Sequence, residues 1–277
     1  MDKIWTLLAK EARDGFRNRW VVMITLVMTG LALTLSLLGS APTGSTSVNP
    51  LAVTVVSLSS LSIFFIPLIA LLLAYDSVVG EAERGTLTLL LVHPVRRTQV
   101  IIGKFLGHGF LLSVAILIGY GVAGLTIALT NETGFAEQQW GSFSRLLLSS
   151  VLLGAVFLAI GYMISAWVRE RGMAAALAIG VWLLFVLLYD MGLLALLAAD
   201  GDGALSGGLV KGLMLVNPTD SYRMFNLTGS QDTALLSGMA GLSADHRVAD
   251  SSLLLIMGLW VVVPLTTACA IFNRRQL

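Results

Sequence analysis

DSVVGEAERGTLTLLLVHPVRRTQVIIGK, residues 76–104, lies between two long apolar runs and holds four of the chain's 17 basic residues. Apolar flanks of that kind make it a loop at a membrane surface, and short loops rich in Lys and Arg stay on the cytoplasmic side. Its pattern is helical in part. Glu81 and Arg84 stand three apart, a spacing at which opposite charges support a helical turn. Leu87, Leu90 and Leu91 follow at helical intervals. Pro94 biases His93 away from helix, so the piece ends there, and Thr98 is placed to cap the next helix. The reading is a short helix projecting from the cytoplasmic face.

Composition agrees. Of 277 residues, 56% are apolar and 12% charged, against roughly 25% charged in a soluble domain. A net charge of +1 gives nucleic acid nothing to bind. Six apolar runs, 20–39, 54–75, 105–129, 146–168, 173–199 and 252–272, have the length of about 20 residues that crosses a bilayer core. The expected fold class is therefore all-α: one transmembrane domain over 1–277, a polytopic membrane protein with six transmembrane helices. Residues 2–19 form an amphipathic helix, with Ile4, Trp5, Leu8, Ala12 and Phe16 on one face and Lys3, Lys10, Arg13 and Arg17 opposite. That is the pattern of a helix lying in the membrane interface. The run from Trp20 to Leu38 exceeds the 7–15 residues or so of a secretory core, so a retained anchor is expected. Thirteen of the 17 basic residues fall on the side of the 76–104 loop and four opposite, which places both termini in the cytoplasm.

Residues 200–251 are the outlier, with six Asp and three basic residues. Leu205 to Met214 and Ala234 to Leu242 are apolar enough for short helices, and Asn217-Pro218 breaks the segment. A small ordered subdomain on the outer side, re-entrant or interfacial, is expected, and long loops of this kind are usually functional. The shorter connection 130–145 is expected along the interface. Gly119, Gly121, Gly124, Gly154 and Gly161 are small residues that let spans approach closely.

Few residues suggest chemistry. Leu205-Ser206-Gly207-Gly208 imitates the start of an ATPase signature, but no GxxxxGK[ST] exists to hold phosphate. The two His nearest the loop, His93 and His108, form no zinc-binding pair, and Glu81 and Glu83 are not adjacent as an intramembrane protease would need. The ten methionines are not closely spaced and read as packing. Asp190 lies about 25 Å along the fifth run, near its outer boundary, and reads as interfacial. No catalytic, cofactor or metal site is assigned, and the chain is read as no enzyme.

The loop resembles the first cytoplasmic loop of ABC-2-type transporter membrane subunits. Glu81, Glu83, Arg84, Gly85, Thr86 and Leu87, then Pro94, Val95 and Arg96, then Lys104 carry the likeness. It implies that Glu81 to Leu87 couple the spans to a separate cytoplasmic ATPase, which alone binds ATP, and that two copies of the chain pair. Lys10 to Trp20, the loop, and Asn217, Pro218, Thr219, Asp220, Ser221, Tyr222 and Arg223 look more narrowly like the membrane subunits that serve nitrous oxide reductase maturation. That likeness implies a bacterial inner membrane, copper or sulfur supply to the reductase, and a periplasmic β-helical partner contacted by Asn217, Pro218, Asp220, Tyr222 and Arg223. An ABC-2 exporter of lipid, drug or polysaccharide is the alternative. A secondary transporter, which should pair ionisable residues at mid-membrane, and an intramembrane enzyme are others.

Overall fold

A computed structural model of the chain describes residues 2–17, 19–39, 50–87, 95–130, 137–199, 207–227 and 248–275. All regular structure among them is helical. The elements are α1 (Asp2–Arg17), α2 (Arg19–Gly39), α3 (Pro50–Ala74), the short α4 (Val79–Glu83), α5 (Arg97–Thr130) and α6 (Glu137–Trp167). They continue as α7 (Arg171–Leu183), a π-helical turn (Leu184–Leu188), α8 (Tyr189–Ala199), α9 (Gly207–Val216), α10 (Pro218–Leu227) and α11 (Asp250–Arg274). Five described helical stretches are long and apolar enough to cross a membrane: Ala52–Glu83, Arg97–Leu129, Trp140–Trp167, Arg171–Ala199 and Asp250–Arg274. The first apolar run is helical as α2, 21 residues long.

Two helices begin well before the expected spans. α5 has 34 residues and α6 has 31, or about 50 Å and 46 Å at 1.5 Å per residue. Each exceeds a core of about 30 Å, so each stands out of the apolar layer. Residues 137–145 accordingly continue the α6 helix instead of forming a separate interfacial piece. α6 is the centre of the bundle, packed by α3 on one side and α11 on another. Leu153, Val156, Phe157, Ala159 and Tyr162 along it are wholly enclosed.

Close crossings use glycine where the sequence pattern suggested, with one exception. A Cβ on Gly161 would meet Ala74 at 2.6 Å, and one on Gly154 would meet Leu112 at 2.5 Å. Gly119 and Gly124 are crowded by Met28 and Phe143, whereas nothing lies within 4 Å of a Cβ on Gly121. The tightest service to α1 comes from Gly103 and Gly107, which the apolar pattern did not single out. Cβ atoms there would lie 2.7 Å from Leu7 and 2.6 Å from Glu11. α1 therefore rests on α5 through Leu7, Glu11 and Gly15. Trp5, on the apolar face of α1, is 64% exposed.

The bundle has two distinct ends. α1, the turn after α3, the start of α5, and the ends of α6 and α11 meet at one, here the loop end. The starts of α6 and α11 and the whole of α10 meet at the other, the far end, where Arg145 Nη1 binds Asp250 Oδ2 at 2.6 Å. α10 is almost entirely buried between α3, α6 and α11.

Candidate functional site

At the loop end the chain leaves α3 at Ala74, makes one turn and enters α4. Val78 and Val79 are buried, and their N–H groups both donate to Ser165 Oγ of α6, at 3.0 and 3.1 Å. Val78 has no side chain able to cap α4, so Ser165 satisfies the helix start from another element. Gly85 follows with φ +70°, the left-handed region that glycine enters without a Cβ clash. Glu83, Arg84, Gly85 and Thr86 are exposed, and Leu87 is buried. The described part of the loop is thus a tip of four exposed residues anchored at both sides. Leu90, Leu91, His93 and Pro94 lie outside the described residues, so the expected helix end falls there too.

The charges do not pair along the helix as the three-residue spacing suggested. Glu81 Oε1 binds Lys104 Nζ of α5 at 2.8 Å, and Arg84 Nη1 instead lies 3.6 Å from Asp76 Oδ2. Lys104 Nζ also binds Glu11 Oε1 of α1 at 2.8 Å. One buried ammonium therefore joins α1, α5 and the loop. Its side chain is 3% exposed, so removing either charge would leave another stranded in low dielectric. Burial would raise the Glu11 carboxyl, but the Lys104 ammonium, with His108 and Lys10 beside it, holds it below its ordinary value. The cluster extends inward. His108 Nε2 lies 3.7 Å from Glu11 Oε2, and His108 Nδ1 shares a 2.7 Å hydrogen bond with Tyr162 Oη.

A second tie runs from the loop to α7. Asp76 Oδ1 lies 2.9 Å from Arg171 Nε, and Glu83 Oε1 accepts from the Arg171 backbone N–H at 2.7 Å. Glu170, at the start of α7, makes no side-chain cap of its own, so Glu83 supplies the negative charge that a helix N-terminus favours. Other helix ends here are closed from outside as well. Arg97 Nη1 donates to the Phe272 carbonyl at 3.1 Å, and Arg275 Nη1 to the Ala166 carbonyl at 3.2 Å. Thr98 does not cap α5. Gln99 Oε1 does, accepting from the Arg96 N–H at 3.0 Å, which is the reciprocal arm of a capping box.

Beside these groups lies a cavity of about 540 Å³ lined by Glu11, Lys104 and His108, by residues of the turn, and by α3 and Arg171. Sequence reasoning missed Glu11, Tyr162, Ser165 and Arg171, and weighed His108 only as a zinc ligand. One signal was available: Glu11 is four residues from Leu7 and three from Leu8, inside the arc that packs.

At the far end the five residues expected to meet a periplasmic partner are brought together, but four of them are buried. Asn217 Oδ1 accepts from the Thr219 N–H at 3.0 Å, capping α10, with Pro218 at the first helical position. Asn217 Nδ2 and Thr219 Oγ1 donate to the Phe185 carbonyl at 3.0 and 3.2 Å. Phe185 sits in the π turn, where the normal ladder is displaced. Arg223 bridges two carboxylates, Asp190 at 2.6 Å and Asp220 at 3.0 Å. Asp190 is thus the partner of an ion pair, where a lone interfacial charge was expected. Tyr222 Oη meets Ser150 at 3.0 Å, and Asn226 Nδ2 donates to Ser149 at 2.8 Å. Burial first, then the Asp190 charge, raises the Asp220 carboxyl to about 7. Arg223, 28% exposed at its side chain, is the one of the five not buried. The second expected short helix, Ala234 to Leu242, lies outside the described residues. Among the described residues no group of three or more His, Cys, Asp or Glu is arranged to hold a metal ion.

Five described apolar stretches of spanning length with a charged loop locked to their ends are the features of a polytopic membrane protein. The chain is 46% identical over 275 residues to "Probable ABC transporter permease protein NosY" of Stutzerimonas stutzeri, covering 99% of each protein. It is 45% identical over 277 residues to the protein of the same name in Pseudomonas aeruginosa, covering 100% of each. The model of the ABC-2 family transporter proteins matches residues 5–277, and the chain belongs to that family.

Proposed function

We propose that the chain is the permease of an ABC transporter that serves maturation of nitrous oxide reductase, supplying copper or sulfur. It works as two copies in a bacterial inner membrane, with six spans and both termini in the cytoplasm. ATP is bound and hydrolysed by a separate cytoplasmic ATPase. Glu81, Glu83, Arg84, Gly85, Thr86 and Leu87 receive the motion of that subunit: Glu83 to Thr86 as the exposed contact, Glu81 and Leu87 as the anchors behind it. The observation that carries this reading is the Lys104 junction. A push on the loop is delivered there to α1 and α5, and through Asp76 and Glu83 on Arg171 to α7, so the ends of several helices move as one body. The far-end element would meet a periplasmic β-helical partner. Asn217, Pro218, Asp220 and Tyr222 position it from within, and Arg223 borders the surface.

Mild-detergent purification of the tagged chain from a denitrifying bacterium tests this. The expected result is recovery of an ATPase and a periplasmic β-helical protein, and a deletion strain whose reductase lacks copper. An ATPase with a fully copper-loaded reductase in the deletion strain would point to an exporter of another cargo. Absence of any ATPase would overturn the coupling reading.

A further inference from the structure

The cavity at the loop end has a polar mouth and an apolar wall, a combination that coupling does not require. Ile69, Leu72 and Leu73 of α3 form the wall, and Leu72 is 43% exposed. Arg84 and Arg171 stand at the mouth, with side chains 54% and 52% exposed. Both lean on the single carboxylate of Asp76. Arg84 reaches Asp76 only at 3.6 Å, while Arg171 has Asp76, Tyr75 and Glu83 beside it, so it is chiefly the Arg84 fork, with up to about five N–H donors, that is left for a ligand. The volume, about 540 Å³, falls within the range of roughly 300–1,000 Å³ usual for ligand sites.

We propose that this cavity is a phospholipid site, with the phosphate diester on Arg84 and Arg171 and one acyl chain along Ile69, Leu72 and Leu73. A water-soluble anion would satisfy the guanidinium groups and leave the wall wet. A purely apolar ligand would do the reverse. The depth also fits, because α3 ends at Ala74 and α7 begins at Arg171, which puts the two arginines where spans meet the headgroup layer. Planar guanidinium forks are suited to phosphate. The inference shares Arg84 with the coupling reading, and the measurement on the complex with the ATPase separates the two.

The test uses the purified full chain, freed of lipid by extended detergent exchange, and follows its thermal unfolding. Dioleoylphosphatidylglycerol should raise the midpoint. Dioleoylglycerol, with the same chains and no phosphate, and inorganic phosphate, with no chains, should not. In Arg84→Gln and Arg171→Gln the phospholipid concentration giving half the effect should rise about tenfold each, as for loss of a charge-assisted bond. Equal stabilisation by phospholipid and diglyceride would overturn the proposal on the unaltered chain, whatever the variants do. A shift with inorganic phosphate alone would reassign the mouth to a free anion. Loss of the selective shift in the complex with the ATPase would also overturn it, reassigning the two arginines to carboxylates of that subunit.

Discussion

Lys104 and Glu81, 23 positions apart in sequence, meet at 2.8 Å inside the protein, and the same Lys104 nitrogen lies 2.8 Å from Glu11. Breaking one side of a buried pair costs about 3–5 kcal/mol. Lys104→Met strands two carboxylates and should destabilise the detergent-solubilised chain by about that much. Lys104→Arg keeps the charge and should recover part of it. Denaturant unfolding of both variants measures the difference, and equal stability of Lys104→Met and the native chain would remove the junction from the account.

Glu83 separates fold from coupling. Loss of its cap on α7 should cost about 1 kcal/mol, too little to unfold the bundle. Glu83→Lys should nevertheless abolish stimulation of the ATPase in reconstituted vesicles while leaving the chain inserted. Full stimulation by a stable Glu83→Lys protein would show that the tip is not the contact.

The seat of α1 depends on a missing side chain. Any Cβ at Gly107 would lie 2.6 Å from the Glu11 Cβ and 3.4 Å from the Leu8 carbonyl. Gly107→Val should lift α1 and speed hydrogen exchange along it. Gly121→Val, in open space, serves as the control and should change nothing. Unaltered exchange in Gly107→Val would contradict the packing described.

Asp220 gives the far end a pH dependence of definite sign. Its folded-state value, about 7, is above the ordinary aspartate value of about 3.9. The folded protein therefore holds this proton more tightly than the unfolded chain, and the contribution to stability is lost as pH rises from about 4 through about 7. Asp220→Asn mimics the protonated form. Its unfolding midpoint should vary less than that of the native chain across this window and exceed it near pH 8 or so. An unchanged pH profile would show that Asp220 does not titrate there.

Much of the fold was legible because hydrophobic length is a local property. The six apolar runs all coincide with helix, and Asn217-Pro218 does separate α9 from α10. Helix ends were less legible. α5 and α6 continue through polar residues because helix persists beyond the apolar layer, where composition no longer marks it. The sites were legible only at their exposed tips. Glu83 and Arg84 could be singled out from the loop, but their partners Arg171 and Asp76 are set by folding. Ser165 caps α4 across 87 positions and Ser149 holds Asn226 across 77, distances at which no spacing rule operates. Asn217, Asp220 and Tyr222 looked like surface residues because they are polar. They are buried because each finds a polar partner inside.

The contact of Arg275 with the carbonyls closing α6 makes α11 a brace for the loop's socket. Ser165, which receives the loop, sits in the last turn of α6, and Arg275 holds that turn from outside. Arg275→Gln should therefore quicken hydrogen exchange at Val78 and Val79, far back in the sequence, and unchanged exchange there would show that α11 does not steady the turn.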